Sequence, residues 1–104
     1  MLEAAERALR FAQGTSRQTI SSDELRLFAI IKSIEVIGEA STKVSEETQA
    51  RLTSIEWRGI RTMRNRLIHG YDTVNFNILW DTIELALPPL IADLERALAT
   101  WPGA

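Results

Sequence analysis

Residues 24–42 read Glu24-Leu25-Arg26-Leu27-Phe28-Ala29-Ile30-Ile31-Lys32-Ser33-Ile34-Glu35-Val36-Ile37-Gly38-Glu39-Ala40-Ser41-Thr42, and this stretch decides the fold class. On a wheel turning about 100° per residue with Ile30 at zero, Leu27, Ile31, Ile34 and Ile37 share an apolar arc from about 340° to about 100°. Leu25, Ala29, Val36 and Ala40 form a second arc from about 220° to about 280°. Glu24, Lys32, Glu35 and Glu39 occupy the sector between, and Glu39 reads as a solvated side chain. A helix apolar over so much of its surface belongs near the centre of a bundle. Gly38 falls at about 80°, inside the first arc. A glycine inside a helix costs about 1 kcal/mol relative to alanine, so its place there predicts a close approach by another helix.

Helical signals continue on both sides. Ser21-Ser22-Asp23-Glu24 reads as a capping box, with Ser21 and Glu24 three apart, that starts the long helix. Before it, residues 2–12 are mostly strong helix formers, with Leu2, Ala5, Leu9 and Ala12 on one stripe and Gly14 as the stop. No N-cap precedes them, so the chain reads as beginning inside a helix, and residues 13–20 read as a polar loop. After the long helix, Ser45 starts a short helix ending near Leu52. Trp57 to Ile68 forms the next, with Gly70 as its stop signal. The last stretch runs from about Asn75 to Thr100, with a kink or break expected at Pro88-Pro89, because neither proline can donate a backbone hydrogen bond. No segment alternates over a strand length, and neither Asn-Gly nor Asp-Gly occurs. The expected fold is all-α: one domain over residues 1–104, an antiparallel bundle of four to five helices.

Composition narrows the function classes. The absence of cysteine excludes a disulfide framework and a thiolate metal site. A single histidine without clustered carboxylates beside it argues against any metal centre, so neither metal nor cofactor is expected. No apolar run reaches a membrane span and no signal-peptide pattern opens the chain, which makes the cytoplasm the expected location. The net charge of −2 argues against non-specific coating of nucleic acid. That average hides an asymmetry: residues 51–71 hold Arg51, Arg58, Arg61, Arg64 and Arg66 against the single acid Glu56. Such a cluster suits a focused anion site, and it equally suits a solvated helix face.

Within the helix that starts at Trp57, Met63, Leu67, Ile60, Ile68 and Trp57 define an apolar arc from about 240° to about 20°, taking Trp57 as zero. Arg64 lies inside that arc at about 340°, while Arg58, Arg61, Asn65 and Arg66 lie at or beyond its edge. Arg64 is therefore expected to be buried in an ion pair or to line a polar cleft, and the sequence names no partner for it. His69 has two readings: a helix-terminal residue favoured by the macrodipole, or a general acid or base titrating near neutral pH. Tyr71, the only tyrosine, would alone be a packing residue with a wet hydroxyl. On a continuous helix Arg64 and His69 would stand about 140° apart, so they meet only if the helix ends between them or a second subunit intervenes.

Arg64, four residues, His69, one residue and Tyr71 resemble the Arg-x4-His-x-Tyr motif of the HEPN superfamily, and the segment from Met63 to Tyr71 resembles HepT-type toxins. Val36-Ile37-Gly38-Glu39-Ala40, Trp57-Arg58, Trp80-Asp81-Thr82 and Leu87-Pro88-Pro89-Leu90 are similar to segments of the same family, so the likeness covers nearly the whole chain. It departs at the start, where family members usually carry a longer first helix. The resemblance implies a HEPN-like bundle and a metal-independent ribonuclease toxin. It implies a homodimer with motifs from two subunits facing one cleft. It also implies a minimal nucleotidyltransferase antitoxin that transfers AMP to the motif tyrosine. By position, Arg64 and His69 would be catalytic, Asn65 would support them, Tyr71 would accept AMP, and Arg58, Arg61 and Arg66 would bind RNA phosphates. The competing expectation is a non-catalytic helical subunit that presents a nucleotide or a polypeptide to a nucleotidyltransferase, with the arginines binding phosphate alone.

Overall fold

The computed structural model describes residues 1–68 and 73–100. It is all-α: α1 (Leu2–Ala12), α2 (Glu24–Thr42), α3 (Glu46–Arg51), α4 (Trp57–Leu67), α5 (Phe76–Asp81) and α6 (Leu87–Thr100). A π-helical turn, Thr82–Ala86, joins α5 to α6 without a gap, so the described residues form five helical rods. Helices α1, α2, α4 and the α5–α6 rod pack in a closed ring, each against two neighbours, and α3 is the short connection between α2 and α4.

The core is aliphatic. Ile20, Ile30, Ile34, Ile37, Leu67, Leu79 and Leu87 are fully buried, with Ile60 and Met63 from α4 beside them. On α1 the buried stripe is Ala4, Ala5, Ala8 and Ala12, while Leu2 and Leu9 pack at its edge. On α2 the isoleucine arc faces inward as its spacing dictates. The second apolar arc stays open: Ala29, Val36 and Ala40 are half-buried and Leu25 is 87% exposed. Phe28, in the polar sector of the wheel, is 61% exposed beside it.

Three local expectations change. The long helix is not started by a Ser21–Glu24 capping box. Ser21 and Ser22 lie in a 3-10 turn, Ile20–Ser22, which buries Ile20, and Asp23 is the N-cap, its carboxylate accepting from the Arg26 amide at 3.3 Å. Asp23, two residues after Ser21, is of an equally good capping type, and burial of Ile20 selects it. The last rod is not broken at the prolines either: its irregularity is a π turn that precedes them. The Leu87 amide donates to the Thr82 carbonyl, five residues back, and Pro88 and Pro89 then sit in the first turn of α6. Widening the helix before a proline relieves the clash with the preceding turn without breaking the rod. Third, α4 ends at Leu67, one residue short of the expected Ile68, which is already extended.

The stop at Gly14 is as expected: its φ is +88°, the left-handed geometry that a helix C-terminus favours. Gly38 is also as expected. A Cβ placed there would stand 3.3 Å from the Ile60 carbonyl oxygen of α4. Glycine thus suits the close α2–α4 contact, where a Cβ would press on the α4 backbone, and Ser41, one turn on, stays buried by donating to the Gly38 carbonyl at 2.6 Å. Overpacking a well-filled contact costs about 1–3 kcal/mol, so Gly38→Val should lower stability by about 2 kcal/mol in chemical denaturation. An unchanged unfolding midpoint would contradict the close approach.

Candidate active site

The apolar arc of α4 rests on α2, and the antiparallel course of the two helices puts Arg64 opposite Glu35 as Gly38 meets Ile60. The Arg64 Nε donates to Glu35 Oε1 at 2.7 Å. This corrects the expectation of a buried guanidinium: the Arg64 side chain is 51% exposed and that of Glu35 31%. Long side chains on an apolar arc can lay their stems along the neighbouring helix and keep their charge at the surface. Partly exposed ion pairs contribute at most about 1 kcal/mol, so this bridge orients the guanidinium more than it holds the helices together. The Nη groups of Arg64 have no hydrogen-bond partner among the described residues.

The remaining arginines separate. Arg58, Arg61 and Asn65 follow one another at three- and four-residue steps and are exposed on the α4 face adjoining Arg64. Arg61 donates to Gln49 Oε1 at 3.2 Å, and Gln49 Nε2 donates to the Val44 carbonyl at 2.9 Å, which ties α3 to α4. The side chains of Arg58 and Asn65 have no hydrogen-bond partner among the described residues. Arg66 is turned to another face, where it borders a groove of about 330 Å³ between α4 and α6, lined by Ile60, Met63, Leu85, Pro89 and Leu90. The structure therefore brings Arg58, Arg61, Arg64 and Asn65 together and sets Arg66 apart from them.

His69 and Tyr71 lie outside the described residues, as does the expectation that His69 turns back toward Arg64. The flanks of their segment are fixed. Ile68 and Val74 form an antiparallel bridge, and the Asn75 amide donates to the Leu67 carbonyl at 2.7 Å. Asn75 then caps α5 by accepting from the Ile78 amide at 3.1 Å. The motif segment thus departs from the end of α4, one turn beyond Arg64, and returns to the start of α5. Among the described residues no group of three or more histidine, cysteine or acidic side chains could hold a metal ion, and no helix is long and apolar enough to cross a membrane.

Sequence reasoning missed Glu35. The available signal was its place one turn before Gly38: if Gly38 marks the approach of α4, an acid one turn away can meet the same helix.

Fold and site define a small helical bundle that presents a half-exposed, carboxylate-held arginine on the last turn of α4. The family model described as ribonuclease HepT-like matches residues 1–97, and the chain belongs to this HepT-like family; its enzyme class is ribonuclease. A candidate RNase of Caldanaerobacter subterraneus subsp. tengcongensis is 31% identical, over 94% of this chain and 88% of its own length. A protein of Thermococcus cleftensis named as a probable ribonuclease HepT is 32% identical, over 90% of this chain and 86% of its own length. A candidate RNase of Methanocaldococcus jannaschii is 29% identical, over 99% of this chain and 85% of its own length. No solved structure matches the chain.

Proposed function

We propose that this ribonuclease is a metal-independent RNA endonuclease toxin that acts as a homodimer and is silenced by a minimal nucleotidyltransferase antitoxin. The observation that carries the reading is the Arg64 guanidinium, anchored through Nε to Glu35 at 2.7 Å with its Nη groups unengaged by described residues. A planar fork held at one end suits a phosphodiester at the other. In the reaction, the ribose 2′-oxygen attacks the adjacent phosphorus while its proton passes to a base. The phosphorane collapses to a cyclic phosphate, and the departing 5′-oxygen takes a proton from an acid. His69 supplies the acid–base function and Arg64 the cation for the phosphorane. Asn65 supports them, and Arg58 and Arg61 extend the phosphate track along the same helix face. Arg66, on another face, contacts RNA only beyond that track.

One chain offers one histidine, whereas acid and base are two roles. A two-fold dimer supplies two His69 and two Arg64, and its isologous contact would cover the same surface on both copies. The exposed Leu25 and Phe28 lie on α2, the helix that carries Glu35, so a second copy on this face would stand near the site. Tyr71, two residues beyond His69, is the only phenol in the chain. AMP transferred from ATP to its oxygen, with loss of pyrophosphate, would place a phosphate beside the arginines and fill the cleft.

Purified protein in EDTA is expected to cleave RNA, and His69→Ala to lose that activity with its helical circular dichroism intact. Equal activity in the variant would overturn the nuclease mechanism, and light scattering that gave an active monomer would overturn the composite site. Co-expression with the nucleotidyltransferase is expected to add one AMP-sized increment to the intact mass, absent in Tyr71→Phe. Neutralisation without that increment would mean inhibition by binding alone.

A further inference from the structure

We propose that Glu35 is the positioning residue for Arg64, holding its guanidinium by the Nε–H so that the Nη fork is left for a phosphodiester. The inference rests on the ribonuclease mechanism above and adds to it a residue outside the Arg-x4-His-x-Tyr motif. Arginine presents five N–H donors in a rigid plane, and which of them a carboxylate takes decides what remains for a ligand. A carboxylate across the two Nη atoms would consume the fork. Here the hydrogen bond runs through Nε alone, at 2.7 Å.

Glu35 is suited to this task by where it stands. It lies mid-helix on α2, half-buried, and one turn from Gly38, whose contact with the Ile60 carbonyl sets the separation of α2 and α4. The anchor is thus built beside a close contact between two rods and is not a loop residue free to drift. Glu35 is also selective. Among the described residues Arg64 is the only α4 arginine with a carboxylate partner, since the Arg61 guanidinium donates to the Gln49 side-chain carbonyl and the Arg58 and Arg66 side chains have no partner. A surface placed merely to neutralise charge would show no such preference for one arginine. Glu35 does not touch the substrate in this scheme; it acts through Arg64.

An orienting role predicts an effect on turnover more than on binding, because misplacing a group that acts in the transition state costs rate. Glu35→Ala is expected to lower kcat by about 10- to 100-fold with KM changed less than about threefold. Glu35→Gln keeps an oxygen acceptor for Nε–H and is expected to retain most of the wild-type kcat. A kcat in Glu35→Ala equal to wild type would overturn the proposal, as would a loss in Glu35→Gln as deep as in Glu35→Ala. A readout independent of activity comes from NMR of protein labelled with ¹⁵N-arginine. The Arg64 Nε–H signal, identified by its absence in Arg64→Lys, should exchange slowly in the wild type and collapse into the solvent-exchanging set in Glu35→Ala. A signal unchanged by Glu35→Ala would overturn the contact itself. Wild-type protein that shows the slow signal but cleaves no RNA would instead overturn the catalytic use of the contact and, with it, the nuclease mechanism.

Discussion

The separation of α2 and α4 is the constraint on which the rest of the structure depends. At Gly38 the two backbones come close enough that a side chain would meet the Ile60 carbonyl. That contact seats the apolar arc of α4, with Ile60, Met63 and Leu67, in the core. It also fixes the register in which Glu35 reaches Arg64. A wider spacing would leave the guanidinium on a long, freely rotating stem, and such a cation gains little on binding an anion because its rotamer freedom is lost in the act. The glycine's propensity cost is therefore offset by packing, and the same packing sets Glu35 against Arg64.

A second set of contacts frames the motif. The Ile68–Val74 bridge, the Asn75 amide on the Leu67 carbonyl and the Asn75 cap of α5 hold both flanks of the motif segment at the end of α4. Further out, Arg17 ties the loop after α1 to α5 through Asp81 at 2.8 Å and Asn77 at 3.2 Å. The rod carrying α5 is thus braced from the other side. A short connection whose ends are fixed by rigid elements is a common way for a small scaffold to place reactive groups.

The bundle was legible because its information is local. The inward arc of α2, the stop at Gly14 and the Ser45 start of α3 each depend on a few neighbouring residues. Gly38 was legible too, since an unfavourable residue in a strong helix needs a reason outside that helix. What escaped the sequence depended on two elements at once. A wheel places Arg64 on an arc but says nothing of how α2 is rotated against it, so the half-exposure of the guanidinium could not be read, and Glu35 was signalled only through its place one turn before Gly38. The cap at Asp23 depended on Ile20 finding the core, and the continuity of the last rod on a π turn that lets Pro88 and Pro89 join α6. In the basic cluster, composition grouped five arginines, whereas helical geometry turns Arg66 to a different face. The motif itself was read as a pattern of residue types, which carries chemistry without coordinates.

The central claim is that α2 and α4 act together on one guanidinium, and a double-mutant cycle measures it most directly. Single-turnover RNA cleavage would be compared for wild type, Glu35→Ala, Arg64→Ala and the double variant. Once Arg64 is gone, Glu35 has nothing left to orient, so the double variant should cleave no more slowly than Arg64→Ala alone. Two losses that multiply independently in the double variant would contradict the account.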